Sequence, residues 1–217
     1  MIEKSSGRWG LSGIIIAAAL VGFGSAAQAQ TYSFGCVSNN SVADCTTGAA
    51  QLSLTLTQNI GSVDFLFRNV GTAASSIADV YFDWANNSAA FSPGQIINGS
   101  GVSFAWGASP PNLPAGNNLI PNFVADLAAD SNAPVQPNGV NPGEQLTFRF
   151  LSASTSTAAN LNSGALRVGL HVQGFANGGS ESFVTSPIPE PESYAMLLAG
   201  LGLLVIVARR RRRKLAA

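Results

Sequence analysis

Short stretches of alternating apolar and polar residues recur along the middle of the chain. Between residues 51 and 57, Leu52, Leu54 and Leu56 alternate with Ser and Thr, which places the apolar side chains on one face of an extended strand. Comparable runs occur at Val63 to Phe67, residues 77–84 and 101–106, Leu146 to Phe150, and residues 166–173 and 181–185. Loops rich in Gly, Asn, Pro and Ser separate the runs. The pattern predicts an all-β fold, an antiparallel β-sandwich of about seven to nine strands.

Three segments interrupt this alternation. Residues 109–118 are rich in Pro and predict a loop, because Pro cannot donate a backbone hydrogen bond to a neighbouring strand. Residues 123–129 favour one or two helical turns, with Asp126 and Asp130 four positions apart. Residues 132–143 contain three further Pro residues and predict an irregular, stiff connection.

The N-terminal segment has the organisation of a secretory leader. Lys4 and Arg8 precede an apolar stretch at residues 11–24, and Ala27-Gln28-Ala29 supplies small residues on both sides of a cleavage position. We therefore predict a signal peptide at residues 1–29, removed after Ala29. The alternative, a permanent anchor, is disfavoured because the stretch is short and rich in small residues.

The C-terminal segment combines a Pro/Glu motif, an apolar run and a basic block. Pro189-Glu190-Pro191 precedes residues 194–208, which carry no charge and reach ~22 Å as a helix, less than a ~30 Å hydrocarbon layer. Six cations follow: Arg209, Arg210, Arg211, Arg212, Arg213 and Lys214. Such long cationic side chains extend a short span by reaching the interface, and they hold that end in the cytoplasm. We predict a transmembrane helix with the body outside; a buried core helix with a basic tail is the alternative.

The order of these three parts resembles the PEP-CTERM sorting signal of Gram-negative bacteria, over residues 187–217 only. The resemblance implies processing by exosortases, which are membrane-embedded proteases often found in species that make exopolysaccharide. It also implies that Pro189, Glu190 and Pro191 are the recognition element, and that the helix is removed or exchanged after export. A plain single-pass anchor behind a Pro-rich linker remains the alternative.

The two terminal segments leave residues 30–186 as a single exported domain, which is long enough to bury a core. Eight acidic residues and three Arg give this domain a net charge of about −5, without any Lys. Binding to nucleic acid needs clustered Lys and Arg, so we exclude nucleic acid as a partner. The expected partners are an exosortase, the cytoplasmic membrane and, less directly, exopolysaccharide.

Cys36 and Cys45 are the only cysteines in the chain. In an exported protein such a pair predicts a disulfide, here in a polar loop ahead of the first alternating run. Half of a metal site and a redox pair are the alternatives. Zinc would need two further ligands, and His171 is the sole histidine. We expect no metal and no other cofactor.

His171, Arg167 and Gln173 share one face of a predicted strand, which indicates either a polar binding strip or a solvated face. His171 is also a candidate base for a Ser-His-Asp hydrolase. The only approach to a nucleophile motif, Gly178-Gly-Ser-Glu-Ser182, ends in Ser where the motif G-x-S-x-G requires Gly. We therefore expect no catalytic residue.

Paired carboxylates and aromatic residues supply the other candidate sites. Two pairs, Asp79 with Asp83 and Asp126 with Asp130, offer ligands for Ca²⁺ or the two acids of a glycosidase, but neither fits a calcium-loop motif. Aromatic side chains available to stack on sugar rings are Tyr81, Trp84 and Trp106. Such residues more often belong to a core.

Taken together, these features favour a non-catalytic protein of the cell surface or extracellular matrix. A carbohydrate-binding module is the second hypothesis and requires an exposed row of aromatic residues. A secreted hydrolase is the third, and it requires a pocket that holds His171 or two carboxylates.

Overall fold

The computed structural model describes residues 28–84, 93–151, 157–187 and 200–202. Its strands are β1 (Gln28–Cys36), β2 (Leu52–Asn59), β3 (Ser62–Asn69), β4 (Ser76–Trp84), β5 (Gln95–Asn98), β6 (Phe104–Trp106), β7 (Leu127–Ser131), β8 (Gln145–Leu151), β9 (Leu166–Gln173) and β10 (Glu181–Pro187). Its helices are α1 (Val42–Gln51), α2 (Val135–Asn138) and α3 (Thr157–Ser163), with a 3₁₀ turn at Gly116–Asn118.

All ten strands join in one antiparallel sheet, in the order β5-β8-β3-β2-β1-β10-β9-β4-β7-β6. The sheet curls until its two edges approach each other. The indole nitrogen of Trp106 in β6 donates to the Gly94 carbonyl beside β5 at 3.0 Å, and Phe104 N donates to Asn98 Oδ1 at 3.0 Å. The all-β antiparallel prediction is confirmed. The structure differs from the predicted sandwich of about seven to nine strands, because its ten strands form a single sheet that curls around its own core and is nearly barrel-shaped.

Aromatic rings fill the space enclosed by the curled sheet. Phe82 of β4 lies among rings from the opposite side, at centroid distances of 5.3 Å to Phe65, 5.6 Å to Phe148 and 5.4 Å to Phe150. These pairs are edge-to-face, a geometry that contributes about 0.5–1.5 kcal/mol beyond the burial of apolar area. The alternating residues predicted to face the core do so.

The segment between the cysteines is more ordered than a polar loop. Cys36 ends β1 and Cys45 lies in α1, where Ser41 caps the helix by accepting from Asp44 N at 3.3 Å. Gly48 allows α1 to pack on the sheet, because a Cβ there would lie 2.2 Å from the ring of Phe183. The helix was not predicted, since its sequence has few large apolar residues.

The prediction of helical turns at residues 123–129 is wrong. Leu127–Ser131 forms β7 instead, paired with β4 on one side and β6 on the other. Hydrogen bonds to two neighbouring strands satisfy the backbone along this segment, which outweighs a weak local helical preference.

The predicted leader lies outside the described residues up to position 27, and so does most of the predicted C-terminal helix. Residues 200–202 are helical and exposed. Among the described residues, no helix combines the length and the apolar character needed to cross a membrane.

Candidate functional site

The most distinctive polar arrangement lies on the outer face of the sheet, where β9, β4 and β7 run side by side. The strand register sets Asp79 opposite His171 and Asp130, and it sets Asp83 opposite Arg167. Because side chains alternate between faces, these residues share one side of the sheet while Phe82 and its neighbours fill the core. Two polar clusters result, one toward each end of β4.

Arg167 organises the first cluster. Its guanidinium pairs with the buried carboxylate of Asp83, and it donates to the carbonyls of Pro121 and Asn122 at 2.7 Å each. It also lies over the ring of Phe123, 5.3 Å from the centroid. Asp83 in turn accepts from Val124 N at 3.2 Å. Arg167 thereby ties residues 108–126, here called the cover loop, to the outer face of the sheet.

Between the two clusters, the cover loop buries a small apolar patch. Tyr81, Leu113 and Phe123 form a second core there, and the loop side chains approach Gly169 so closely that a Cβ would lie 3.0 Å from Leu113. The Tyr81 hydroxyl donates to the Pro110 carbonyl at 3.0 Å. Burial, and secondarily the charges of Asp79 and Asp130, raise the pKa of Tyr81 far above its ordinary value. Tyr81 is therefore a neutral hydrogen-bond donor.

His171 and two carboxyl groups form the second cluster. His171 Nδ1 lies 2.9 Å from Asp79 Oδ2, and Asp79 is 2% exposed. Asp130 has its pKa raised to about 6, first by burial and then by the charge of Asp79 and a hydrogen bond to it. The charge of His171 acts in the opposite direction.

The distinctive feature of this second cluster is two carboxyl groups side by side, Asp79 and Asp130. Asp79 Oδ1 is buried, and no N–H or hydroxyl group of the described residues donates a hydrogen bond to it. A protonated Asp130 carboxyl can donate to that oxygen, and the raised pKa of Asp130 favours its protonated form under mildly acidic conditions.

A Ser-His-Asp arrangement is only partly assembled. Ser182 lies opposite His171 across β9 and β10, which places Ser, His and Asp79 on three neighbouring strands. Ser182 is 1% exposed, however, and its hydroxyl has no hydrogen-bond partner among the described residues. The ring of His171 contacts Asp79 and, at 3.5 Å, Gln173. A buried Ser without a hydrogen bond to the imidazole is not an activated nucleophile.

Arg167 and His171 do lie on one face of β9, as predicted, but that face is not solvated. The side chains of Arg167 and His171 are each 13% exposed. The predicted carboxylate pairs were wrong in their partners: Asp79 faces Asp130, while Asp126 accepts from Trp84 N at 2.8 Å. The pairing of Asp79 with Asp130 was missed because it depends on β7 being a strand.

The aromatic side chains considered for sugar stacking lie inside the fold. Tyr81 is fully buried and Trp84 is 6% exposed. Trp106 is partly buried and packs on Phe148, with ring centroids 5.2 Å apart. This burial counts against a carbohydrate site built on these residues.

Cys36 and Cys45 form the predicted disulfide, with an S–S distance of 2.01 Å. Beside it lies Glu181, 1% exposed, whose carboxylate accepts from Asn40 N at 3.1 Å and Ser41 N at 2.5 Å. The three side chains bring potential metal ligands within 4.8 Å of one another. Bonded sulfurs are not thiolates, and the carboxylate is already hydrogen-bonded, so this group locks α1 to β10 instead of binding a metal.

The residues predicted to direct sorting lie outside the described residues: Pro189, Glu190, Pro191 and the cations at 209–214. Ala29, the predicted cleavage position, lies in β1 opposite Thr57 and is exposed. Cleavage after Ala29 stays a prediction.

Comparison with known proteins identifies the C-terminal segment. Residues 187–213 match the family model of the PEP-CTERM protein-sorting motif, which confirms the resemblance read from the sequence and implies export with association to the membrane or cell surface. No curated protein matches the chain. One solved structure is similar to this chain at 10% identity and a TM-score of 0.40, and the similarity covers 76% of this chain and 98% of the other chain. The description of that structure reads "pH-induced modulation of Streptococcus parasanguinis adhesion by Fap1 fimbriae".

Proposed function

We propose that this chain is a structural protein of the cell surface or extracellular matrix, delivered there by exosortase processing of its C-terminal segment. The observation that carries the proposal is the match of residues 187–213 to the PEP-CTERM protein-sorting motif. The leader exports the chain, the basic block stops transfer, and the helix at residues 194–208 holds the precursor in the cytoplasmic membrane until the protease acts at or near Pro189-Glu190-Pro191.

The body is proposed to be non-catalytic. His171 and Asp79 are the part of the body that most resembles a catalytic site. The serine opposite His171, Ser182, is buried and is not an accessible nucleophile. One member of the body's carboxyl pair, Asp79, is 2% exposed and is already paired with His171. These features suit a stable module that is displayed, and they do not favour the hydrolase hypothesis.

Exopolysaccharide is the proposed partner outside the cell, and its support is the association that PEP-CTERM proteins have with exopolysaccharide producers. The buried positions of Tyr81 and Trp84 argue against recognition by exposed aromatic stacking. Retention of the exported protein on polysaccharide from the producing cells, compared with an unrelated polysaccharide, tests this part separately.

The sorting proposal is tested by localisation and intact mass of the envelope protein. Glu190→Ala is expected to leave a heavier, membrane-retained precursor. Deletion of residues 209–214 is expected to leave an unprocessed or mislocalised chain, because the block that stops transfer is gone. Glu192→Ala is the matched control, since it removes the same charge two positions away and leaves Pro-Glu-Pro intact. Mature mass and normal localisation in both test variants would exclude sorting by this segment.

A further inference from the structure

Most of the large apolar side chains that the described body exposes lie at one end of the sheet. This end, here called the exit pole, is where β10 finishes at Pro187 and the chain leaves for the sorting segment. Four side chains are exposed there: Ile120 (99%), Ile60 (95%), Leu151 (84%) and Val124 (59%). Four exposed apolar side chains at the end from which the chain leaves toward a membrane segment make this end a candidate interaction surface.

Strand register places Ile60 and Leu151 at this pole. Pro187 pairs with Tyr32 near the start of β1, and Gln28 of β1 pairs with Gln58 near the end of β2. Ile60 follows in the β2–β3 turn. Leu151 is the last residue of β8 and pairs with Ser62, directly after that turn.

Ile120 and Val124 reach the same pole through the cover loop. Arg167 stands near the start of β9, beside the end of β10, because Val168 N donates to Thr185 Oγ1 at 3.2 Å. The same Arg holds the carbonyl of Pro121, and its partner Asp83 holds Val124 N. These bonds fix the loop tip, so Ile120 projects from an ordered loop.

Both segments predicted to enter the membrane leave the body from the exit pole. The leader joins β1 at its start, and six residues separate Pro187 from the apolar run that begins at Tyr194. A linker of that length reaches at most ~25 Å when fully extended. The nine residues of β4 span ~30 Å, so the opposite end of the sheet lies farther away. With the tail inserted, the exit pole is the end held near the bilayer.

Charge is distributed to suit this orientation. The half of the body near the exit pole carries three acidic residues and two Arg, a net charge of about −1: Asp64, Asp83, Asp126, Arg149 and Arg167. The opposite half carries five acidic residues and one Arg, about −4: Asp44, Asp79, Asp130, Glu144, Glu181 and Arg68. Three of the five acidic residues in the opposite half, Asp44, Asp79 and Glu181, are buried, so the two exposed surfaces differ little in charge. The exit pole is compatible with anionic lipid because its acidic and basic residues nearly balance.

We propose that the exit pole docks on the outer surface of the lipid bilayer while the tail is inserted, with Ile120, Ile60 and Leu151 entering the interfacial layer. This inference rests on the proposed membrane-held precursor. Three separate loop and strand ends, each presenting one projecting apolar side chain, suit a deformable lipid surface, into which single side chains insert independently. Docking sets the body at a fixed orientation and presents residues 188–193 at the membrane surface.

Tryptophan scanning in vesicles tests the proposal. Full-length chains carrying Ile120→Trp or Leu151→Trp are reconstituted into vesicles of phosphatidylethanolamine and phosphatidylglycerol, with and without bromine on the upper acyl chain. Val70→Trp is the matched control, because Val70 is 62% exposed and follows the end of β3 at the opposite pole. We expect brominated lipid to quench the added emission of both exit-pole variants, relative to the parent chain, and to leave the control emission unchanged.

Flotation with the vesicles distinguishes failure of the docking proposal from failure of the proposed membrane-held precursor. Flotation with equal quenching at both poles, or with none at the exit pole, refutes docking and leaves the anchored precursor intact. A blue shift at the exit pole without quenching by bromine means that protein covers the pole, and it also refutes lipid docking. Failure to float refutes the membrane-held precursor, and docking with it.

Discussion

Replacing Asp130 by Asn tests whether two neighbouring carboxyl groups share a proton in the folded protein. Asp130 pairs with Asp79 across β4 and β7, and its pKa rises from 3.8 to about 6. The groups that face it are Asp79 and Tyr81 of β4 and His171 of β9, whereas its neighbour on β6 is the uncharged Ala105. An amide at position 130 donates to Asp79 at every pH and carries no charge.

The sign of the effect follows from linkage. Because the folded-state pKa is raised, the folded protein binds this proton more tightly than the unfolded chain does. The stabilisation is complete below about pH 4, declines as the pH rises toward about 6, and is absent above that value. The shift corresponds to at most ~3 kcal/mol. Asp130 is only partly buried, and solvent screening reduces the expected contribution to about 1–2 kcal/mol.

Urea denaturation of the exported chain in a mild detergent, repeated between pH 4 and pH 8, measures the effect. We expect Asp130→Asn to match the parent protein at pH 4 and to exceed it by about 1–2 kcal/mol in free energy of unfolding at pH 8. Asp126→Asn is the control, since Asp126 accepts from the Trp84 backbone and should gain nothing at high pH. If the parent and Asp130→Asn curves run parallel across the whole range, the two carboxyl groups do not share a proton.

Two further predictions concern the ties that hold the outer elements to the sheet. Arg167→Gln should lower the free energy of unfolding by about 3–5 kcal/mol, because it leaves the buried Asp83 unpaired and frees the cover loop. Urea titration measures this loss. The loss should be much smaller for the control Arg149→Gln, since the ion pair of Arg149 with Asp64 is exposed. Similar losses in both variants would contradict the role given to Arg167. Replacing Cys36 and Cys45 together by Ser should lower the free energy of unfolding by about 2–3 kcal/mol, which appears as a lower thermal midpoint. A reducing agent should lower the midpoint of the parent chain and leave that of the double variant unchanged.

The architecture was predictable where alternation is strict. Residues 52–56, 63–67 and 146–150 alternate large apolar residues with polar ones, and all three segments form strands with the predicted face in the core. Short or atypical strands were missed. β5 has four residues and β1 crosses the predicted cleavage position, so neither shows the pattern over a useful length.

The candidate site depended on contacts that no local pattern contains. The sequence placed Arg167 and His171 on one strand face, which the structure bears out. It did not predict that the cover loop folds over that face, because this packing depends on Gly169 leaving room for Leu113 and Phe123. The acid pair also required β7, whose strand conformation is imposed by its two neighbours.

The sequence by itself identified the sorting motif at residues 187–213, because such a motif is linear and is recognised in chain order without a fold. It also determined the all-β class, since period-two alternation is a local property. Only the tertiary structure decided that Asp79 meets Asp130 and that Arg167 ties down a loop. The strand register likewise places Ile60 and Leu151 at the end where the chain exits, and the cover loop held by Arg167 places Ile120 at the same end. Those residues are far apart in the chain, and only strand pairing and loop packing bring them to one end of the sheet.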